Sequence, residues 1–324
     1  MIEDLREPAH RRRGVVPAFG GIKTFMRLPH VDGLDELCGY DFAVVGVPFD
    51  TGVTYRIGTR FAPSAIREMS AVLRGYNPAL GVSPMEYLCG VDIGDTPLVP
   101  GNAVESMQLI EETVDSVVDA NIVPVCLGGD HSISLPILRS LAKRHGPLAV
   151  IHFDSHSDTW NSVYGDRYNH ATPFRRAAEE NLILPENSIQ LGIRGSIPGP
   201  EDLAKARKLG FTVVEADRLL SMDPEGVCRL ICEVVGDRPV YLTFDIDFLD
   251  PAHAPGTGTP EVGGPSSAQA LSYIRRLDLT HVRGVDLVEV LPAYDPSQVT
   301  SLAAACIIFE ILSVMALSKG EPDS

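Results

Sequence analysis

Three clusters of aspartate and histidine, each following an apolar run, are the feature that most constrains the fold. The runs 122–126, 148–153 and 240–244 have the apolar character of buried strands. In open α/β sheets, ligands bind outside the carboxyl ends of the strands. The sequence therefore predicts parallel strands that end at one functional edge, where the following residues gather: Asp130, His131, Asp154, His156, Asp158, Asp245 and Asp247.

Apolar runs typical of strands alternate with stretches of helical period along the chain. We predict strands at 42–47, 87–91, 122–126, 148–153, 189–193, 212–215, 240–244 and 282–288, and helices at 64–73, 104–120, 134–143, 201–208, 224–235 and 268–276. Such alternation is typical of βαβ units. It predicts an α/β protein, a three-layer α/β/α fold with a mostly parallel central sheet. No linker divides the chain, so we expect one domain over 1–324 with 1–40 as an N-terminal arm.

Charge and cysteine content indicate a cytoplasmic enzyme. The formal net charge of -16 argues against nucleic acid or an anionic membrane as a partner. The six cysteines form no Cys-x-x-Cys pair, which fits a reducing compartment. Residues 1–13 are charged and lack the apolar core of a signal peptide. Glu310 interrupts the most apolar segment, 302–317, so we expect a buried helix there and no membrane span.

The clustered residues offer only oxygen and nitrogen donors. Two divalent cations about 3.5–4 Å apart need ligands that they share, and one cluster could not supply them. A set without thiolate suits Mn, and accepts Ni, Co or Fe better than it suits structural zinc. A strand-like course over 154–158 would put Asp154, His156 and Asp158 on one side and both serines on the other. The candidate ligands are His131, Asp154, His156, Asp158, Asp245 and Asp247.

Two simpler interpretations compete with a metal centre. Aspartate and histidine at a strand end often cap the next helix, as His131 and Ser132 could do. Asp-x-Asp-x-Asp patterns also bind calcium, but 154–158 lacks the glycine and the distal glutamate of such a loop. Three clusters at equivalent strand ends favour the metal centre over either alternative.

Several segments carry a resemblance to the ureohydrolase superfamily, which includes arginase, agmatinase and guanidinobutyrase. They are 128–132 (GGDHS), 153–158 (FDSHSD), 243–247 (TFDID) and 255–261 (PGTGTPE), with support from 44–50 (VVGVPFD) and 60–63 (RFAP). The resemblance extends from about residue 40 to 315. The 255–261 loop is more similar to the agmatinase branch than to animal arginases.

The resemblance implies a binuclear metal centre that hydrolyses a guanidino compound to urea and an amine. It implies His131, Asp154, Asp158 and Asp245 on one metal, and Asp154, His156, Asp245 and Asp247 on the other, with Asp154 and Asp245 bridging. A hydroxide between the metals would attack the guanidinium carbon, and Asp158 would aim it. Glu289 would bind the guanidinium, and His170 would pass a proton to the departing amine. Mn is expected, with Ni as the alternative.

The resemblance leaves the substrate tail open. Trp160 could wall the cavity or pack in the core, Asp166 could pair with an ammonium as in agmatine, and Arg167 with a carboxylate as in guanidinobutyrate. Guanidine itself, alkylated guanidines and biguanides need neither partner. Ala171 stands where the family commonly has glycine, which adds a methyl group beside the pocket.

Assembly and class also have alternatives. Family members are usually trimers or hexamers, so we expect a homo-oligomer, with a non-identical partner subunit as the second interpretation. A metal-free homologue acting as a non-catalytic subunit is a further hypothesis, against which the intact ligand set argues. Deacetylases of related fold use one zinc, and the pair Asp245 and Asp247 favours two-metal chemistry instead.

Overall fold

A single parallel sheet forms the centre of the computed structural model, which describes residues 17–31, 33, 37–199 and 201–320. Its eight strands lie in the order β2-β1-β3-β8-β7-β4-β5-β6, and every neighbouring pair is parallel. The predicted parallel sheet is confirmed. The strands are β1 Phe42–Val47, β2 Gly90–Asp95, β3 Val123–Gly128, β4 Ala149–Phe153, β5 Ile189–Ile193, β6 Thr212–Glu215, β7 Val240–Asp245 and β8 Val282–Val288.

Helices cover both faces of this sheet and complete the predicted three layers. Those in the described residues are α1 Ala62–Ser70, α2 Pro84–Tyr87, α3 Ala103–Asp119, α4 Ser134–His145, α5 Pro173–Glu179, α6 Glu201–Leu209, α7 Ala216–Ser221, α8 Pro224–Val235, α9 Ser267–Ile274 and α10 Val299–Lys319.

Alternating side chains of the strands divide the core into two apolar layers. In β1, Phe42 and Val44 pack on the side of α1, α8, α9 and α10, whereas Ala43 and Val45 pack on the side of α3 and α4. This follows from the period of two in a strand, which sends neighbouring side chains to opposite faces. Burying one such side chain stabilises the fold by about 1.5–3 kcal/mol. Strands that are apolar on both faces therefore specify a sheet covered on both sides.

Helix α10 is the most apolar element and lies in the core. By length and composition, 296–319 is the one candidate for a membrane span in the described residues, and 78% of its most apolar window is buried inside the protein. It packs against α1, α2 and α9. The buried helix predicted over 302–317 is confirmed.

Three local features differ from the sequence-based expectation. The strand predicted at 87–91 lies at Gly90–Asp95, because Pro84 starts a short helix that ends at Tyr87. Helices α2, α5 and α7 were not predicted. Of the expected arm, residues 1–16, 32 and 34–36 lie outside the described residues, while Phe25 is buried and its backbone N–H donates to Asp92 Oδ2 at 2.8 Å.

The four central strands, β3, β8, β7 and β4, place the candidate site. They are neighbours in the sheet although they are distant in the chain. His131 follows β3, Glu289 follows β8, Asp245 ends β7 and Asp154 follows β4. Because all four strands run in the same direction, these residues meet at one edge.

Candidate metal centre and active site

His131 is the centre of the first group of candidate ligands. The residue is fully buried, and its Nδ1 lies 2.9 Å from Asp158 Oδ2, 3.1 Å from Asp154 Oδ2 and 3.3 Å from Asp245 Oδ2. None of the three oxygens meets Nδ1 in hydrogen-bond geometry. On the other side of the ring, Nε2 lies 2.9 Å from the Thr243 hydroxyl oxygen. The ring is thus held so that Nδ1 faces three carboxylates.

The backbone after β3 explains the glycines that precede His131. A Cβ at Gly129 would lie 2.3 Å from the carbonyl oxygen of Phe49, so only glycine allows this close approach. The Gly129 carbonyl accepts the backbone N–H of Glu289 at 2.9 Å, which ties the ends of β3 and β8 together. Asp130 then caps the turn that carries His131 by accepting the Ser132 N–H at 2.9 Å.

Asp154, His156 and Asp247 form a second group. His156 Nδ1 lies 3.0 Å from Asp247 Oδ2 and 3.5 Å from Asp154 Oδ1. The backbone N–H and the hydroxyl of Ser155 both donate to Asp247 Oδ1, at 3.1 and 2.7 Å, which leaves Oδ2 without a hydrogen-bond partner in the described residues. Asp154 belongs to both groups, with Oδ2 towards His131 and Oδ1 towards His156.

The local backbone of these clusters differs from the strand-like course that we expected. Strand β4 ends at Phe153, and Asp158 has a left-handed backbone with φ of 48°. Asp247 lies in a 3-10 turn, where its N–H donates to Asp245 Oδ1 at 2.8 Å. Ser155, predicted to face away, instead contacts Asp247. The expected side chains still converge, but turns and not strand alternation bring them together.

The chemistry of the six residues fits two divalent cations. All donors are oxygen or nitrogen, a set that suits Mn and also accepts Ni. Two buried atoms that point into the groups, His131 Nδ1 and Asp247 Oδ2, have no partner in the described residues. Burial, with the neighbouring charges of Asp247 and Asp154, raises the pKa of Asp245 well above its usual range. Bound cations would relieve this repulsion between buried carboxylates.

His152 contacts a candidate metal ligand and was not among the predicted site residues. Its Nε2 lies 2.7 Å from Asp154 Oδ2, and the side-chain amide of Gln190 donates to its Nδ1 at 3.1 Å. Since Nδ1 accepts, the proton of the neutral ring is on Nε2, where it donates to Asp154. Such outer partners orient metal ligands. The signal in the sequence was a lone histidine inside the apolar run 148–153.

Glu289 and His170 lie together beside the first group. Glu289 Oε1 accepts the His131 N–H at 2.9 Å and lies 3.1 Å from His170 Nδ1, while the buried Oε2 has no partner in the described residues. His170 Nε2 lies 2.7 Å from the Thr54 hydroxyl oxygen. Burial lowers the pKa of His170, but the Glu289 carboxylate outweighs it, and the net effect raises that pKa to about 9.

A cavity of about 170 Å³ opens onto members of both groups and onto His170, whereas Glu289 is not among its lining residues. Its lining includes His156, Asp158, His170 and Asp245. Most of the exposed area of the whole lining is apolar. The remaining lining residues described are Thr54, Ser155, Ser157, Trp160, Val163, Ala171, Ile193, Arg194, Ser196, Ile197, Asp202, Leu203 and Thr259.

Of the three residues predicted to contact the substrate tail, the structure brings only Trp160 to the cavity. Residues Val163 and Asp166 exchange two backbone hydrogen bonds of 2.9 Å in a tight turn, and Asp166 Oδ1 accepts the Tyr168 N–H. Arg167 donates to Glu179 Oε2 on α5 at 2.9 Å. Asp166 and Arg167 are exposed and do not line the cavity, because the turn carries both outward.

Arg194 is a second residue that sequence reasoning missed. Its guanidinium donates to the carbonyl oxygens of Gly192, Asp247, Phe248, Leu249 and Glu261, at 2.7–3.2 Å. One side chain thus ties the end of β5 to the turn that carries Asp247 and to the 251–264 loop. Its sequence signal was weak, since a single arginine after an apolar strand commonly lies on the surface.

The sequence of this chain is similar to those of known proteins. The model of the arginase family matches residues 40–313. The chain belongs to the arginase family. Guanidinobutyrase of Pseudomonas aeruginosa is 45% identical over 315 residues, which cover 97% of this chain and 98% of that protein. Mitochondrial agmatinase of Gallus gallus is 41% identical over 91% of this chain and 86% of its own length.

Solved structures are similar to nearly the whole of this chain. Proclavaminate amidinohydrolase from Streptomyces clavuligerus has a TM-score of 0.88 at 42% identity and covers 94% of this chain and 100% of its own. A hypothetical agmatinase from Burkholderia thailandensis has a TM-score of 0.85 at 38% identity, over 96% and 98% of the two chains. The predicted superfamily and the predicted fold are both confirmed.

Proposed function

We propose that this arginase-family enzyme is an amidinohydrolase that uses two divalent metal ions to hydrolyse a guanidino compound to urea and an amine. One observation carries the proposal: Glu289 Oε2, a buried carboxylate oxygen with no partner in the described residues, lies beside a cluster of six metal-type ligands. A planar guanidinium needs such an anion to orient it. The relatives named above are guanidino hydrolases by name, which supports the same reaction class.

The site residues divide the work between binding and proton transfer. Bound metals supply hydroxide near neutral pH by lowering the pKa of water. Glu289 keeps Oε1 occupied by the His131 N–H and by His170, and so offers Oε2 to the guanidinium. With a pKa raised to about 9, His170 holds a proton at neutral pH and can deliver it to the departing amine. Trp160 and the apolar wall limit the entry of water.

Three finer features belong to the same proposal. Mn fits the nitrogen and oxygen donors best, with Ni as the alternative. A homo-oligomer is supported by a cluster of large exposed side chains around Arg56, whose guanidinium stacks on the rings of Tyr55 and Tyr294. No disulfide joins any of the six cysteines, all of which lie in the described residues, and this supports a cytoplasmic location. We expect no nucleic-acid or membrane partner.

The test is urea release from protein loaded with Mn or Ni. The substrates are agmatine, guanidinobutyrate, guanidinopropionate, arginine, guanidine and dimethylbiguanide. The matched variant is Glu289→Gln, which keeps the shape and removes the charge. We expect urea from at least one compound, and about 10²-fold less from the variant with both metals retained, since removal of one buried charge-assisted bond costs about 3 kcal/mol. Two bound metals without urea from any compound would contradict the proposal, as would an unchanged variant.

A further inference from the structure

The part of the cavity that Asp202 lines, here called the tail end, carries a charge that does not belong to the candidate metal cluster, and this charge bears on the substrate tail. Resting on the function proposed above, we infer that this end selects guanidino compounds whose tail carries N–H donors or a positive charge, that it rejects tails ending in a carboxylate, and that Asp202 is the specificity-determining residue.

An inventory of the charged lining residues gives the first step. His156, Asp158 and Asp245 belong to the metal cluster, and His170 is held by Glu289 and Thr54. Among the described residues that line the cavity, only Arg194 and Asp202 remain as charged groups for a tail. The two residues favour tails of opposite charge, because Arg194 would attract a carboxylate and Asp202 would repel it.

Arg194 is not free to bind a carboxylate. Its Nε, Nη1 and Nη2 all donate to backbone carbonyls, with the shortest bonds, 2.7 and 2.8 Å, to Asp247 and Glu261. A guanidinium has five N–H donors, and here six hydrogen bonds share them. To hold a tail, it would have to give up bonds that fix the turn of a metal ligand. Arg194 is therefore a positioning residue for Asp247 and the loops around it.

Asp202 has acceptor capacity left over. It lies in the first turn of α6, and only 10% of its side chain is exposed. Oδ1 accepts the Lys205 ammonium at 2.9 Å, while Oδ2 has no partner among the described residues. A buried carboxylate oxygen without a donor is unfavourable, so a donor on the ligand would satisfy it. Lys205 is half exposed, at 51%, and water screens much of its charge.

The apolar part of the lining strengthens the electrostatic interactions of the Asp202 carboxylate. Ile197 and Leu203 flank it in the lining, and Trp160 closes the same cavity. In a site with little water, charges interact more strongly than in bulk solvent. A carboxylate tail would meet a like charge there, whereas an ammonium or a biguanide N–H would meet an acceptor. The structure thus favours the cationic or donor-bearing tails among the alternatives left open by the sequence.

Agmatine and guanidinobutyrate form a matched pair that tests this inference, because they differ mainly in the charge of the terminal group. We would measure kcat/KM for each on the metal-loaded protein, or the competitive inhibition constant where one is not hydrolysed. The wild type should favour agmatine. Asp202→Asn should shift the ratio towards guanidinobutyrate by about tenfold or more. Glu201→Gln removes a neighbouring charge of α6 that lies outside the cavity lining, and should leave the ratio unchanged.

A second variant covers the case in which Asp202→Asn fails to fold. Lys205→Met removes the partner of Oδ1 and should increase the preference for agmatine. A wild type that favours guanidinobutyrate, or a ratio that neither Asp202→Asn nor Lys205→Met changes, would overturn the inference while urea release still supports the proposed function. Absence of urea from every compound would contradict the proposed function instead.

Discussion

The two ends of the cavity are built differently. At the metal end, the candidate ligands lie at the ends of three central strands, β3, β4 and β7. A further hydrogen bond fixes three of them, since Thr243 contacts His131, His152 contacts Asp154 and Ser155 contacts Asp247. At the tail end, the lining comes from the segments 160–163 and 194–197, which lie outside helices and strands, and from the first turn of α6. Tyr164, next to the first segment, is 94% exposed. Strand ends supply the precision that metal chemistry needs, and loops supply variation. The comparison separates a candidate metal centre that is positioned by the sheet from a tail end that is positioned by the segments around it.

Asp247→Ala should give the largest loss, at the metal end. It removes the partner of His156, so one metal should be lost and kcat should fall by about 10³-fold or more, since a catalytic metal supplies several kcal/mol of stabilisation. Metal analysis and urea assays would measure both. Full activity with two metals would contradict the assignment of this group as ligands.

His170→Asn separates proton transfer from metal binding. His170 contacts Glu289 and Thr54 and no member of the metal cluster by hydrogen bond, so metal content should be unchanged. We expect kcat to fall by about 10²-fold, the lower range for loss of a general acid. Wild-type kcat in this variant would remove His170 from the mechanism, and lost metal would make its role structural.

His152→Asn tests the hydrogen bond that orients Asp154 at the metal end. Loss of the hydrogen bond to Asp154 should weaken metal affinity by about 10-fold to 100-fold. Activity should recover at high metal concentration, which a direct ligand would not allow. Titration of the metal-free variant gives the affinity, and an affinity equal to wild type would show that Asp154 needs no such support.

Metal affinity should rise with pH. Burial lowers the pKa of His131, but the carboxylates of Asp154, Asp158 and Asp245 outweigh it and raise that pKa well above the usual range in the metal-free protein. A proton on this ring competes with metal for Nδ1, so metal binding releases it. Affinity should increase by up to about tenfold per pH unit for each proton displaced between about pH 6 and 8. Calorimetry in buffers of different ionisation enthalpy would count the protons, and none released would contradict this.

Arg167→Ala should have the smallest effect. The side chain pairs with Glu179 at the surface, away from the cavity, and exposed pairs contribute about 0–1 kcal/mol. We expect kcat/KM for guanidinobutyrate within about twofold of wild type. A selective loss of kcat/KM for guanidinobutyrate would show that Arg167 takes part in recognition of the tail, and it would contradict the distinction between the two ends.

Local sequence was sufficient to predict most strands and helices, but it was not sufficient to predict the turns that follow the strands. Strands β1, β5, β6 and β8 lie at their predicted bounds, because each is a short segment rich in β-branched and other apolar residues. The left-handed conformation of Asp158 was not predicted, since nothing within 154–158 distinguishes it from a strand. It depends on contacts from distant segments, such as the approach of His131 to its carboxylate.

The sequence by itself determined the parallel sheet and the identity of the six candidate ligands, because a buried strand and its polar end are each encoded by a few consecutive residues. Tertiary structure decided which side chains meet. Ser155 reaches Asp247 across 92 positions and Arg194 reaches it across 53, and neither contact has a local signal. It also turned Asp166 and Arg167 outward and brought Asp202 to the cavity. Long-range hydrogen bonds set the course of the backbone after each strand ends. The reaction class could therefore be predicted from the sequence, whereas the residues that line the tail end of the cavity could not.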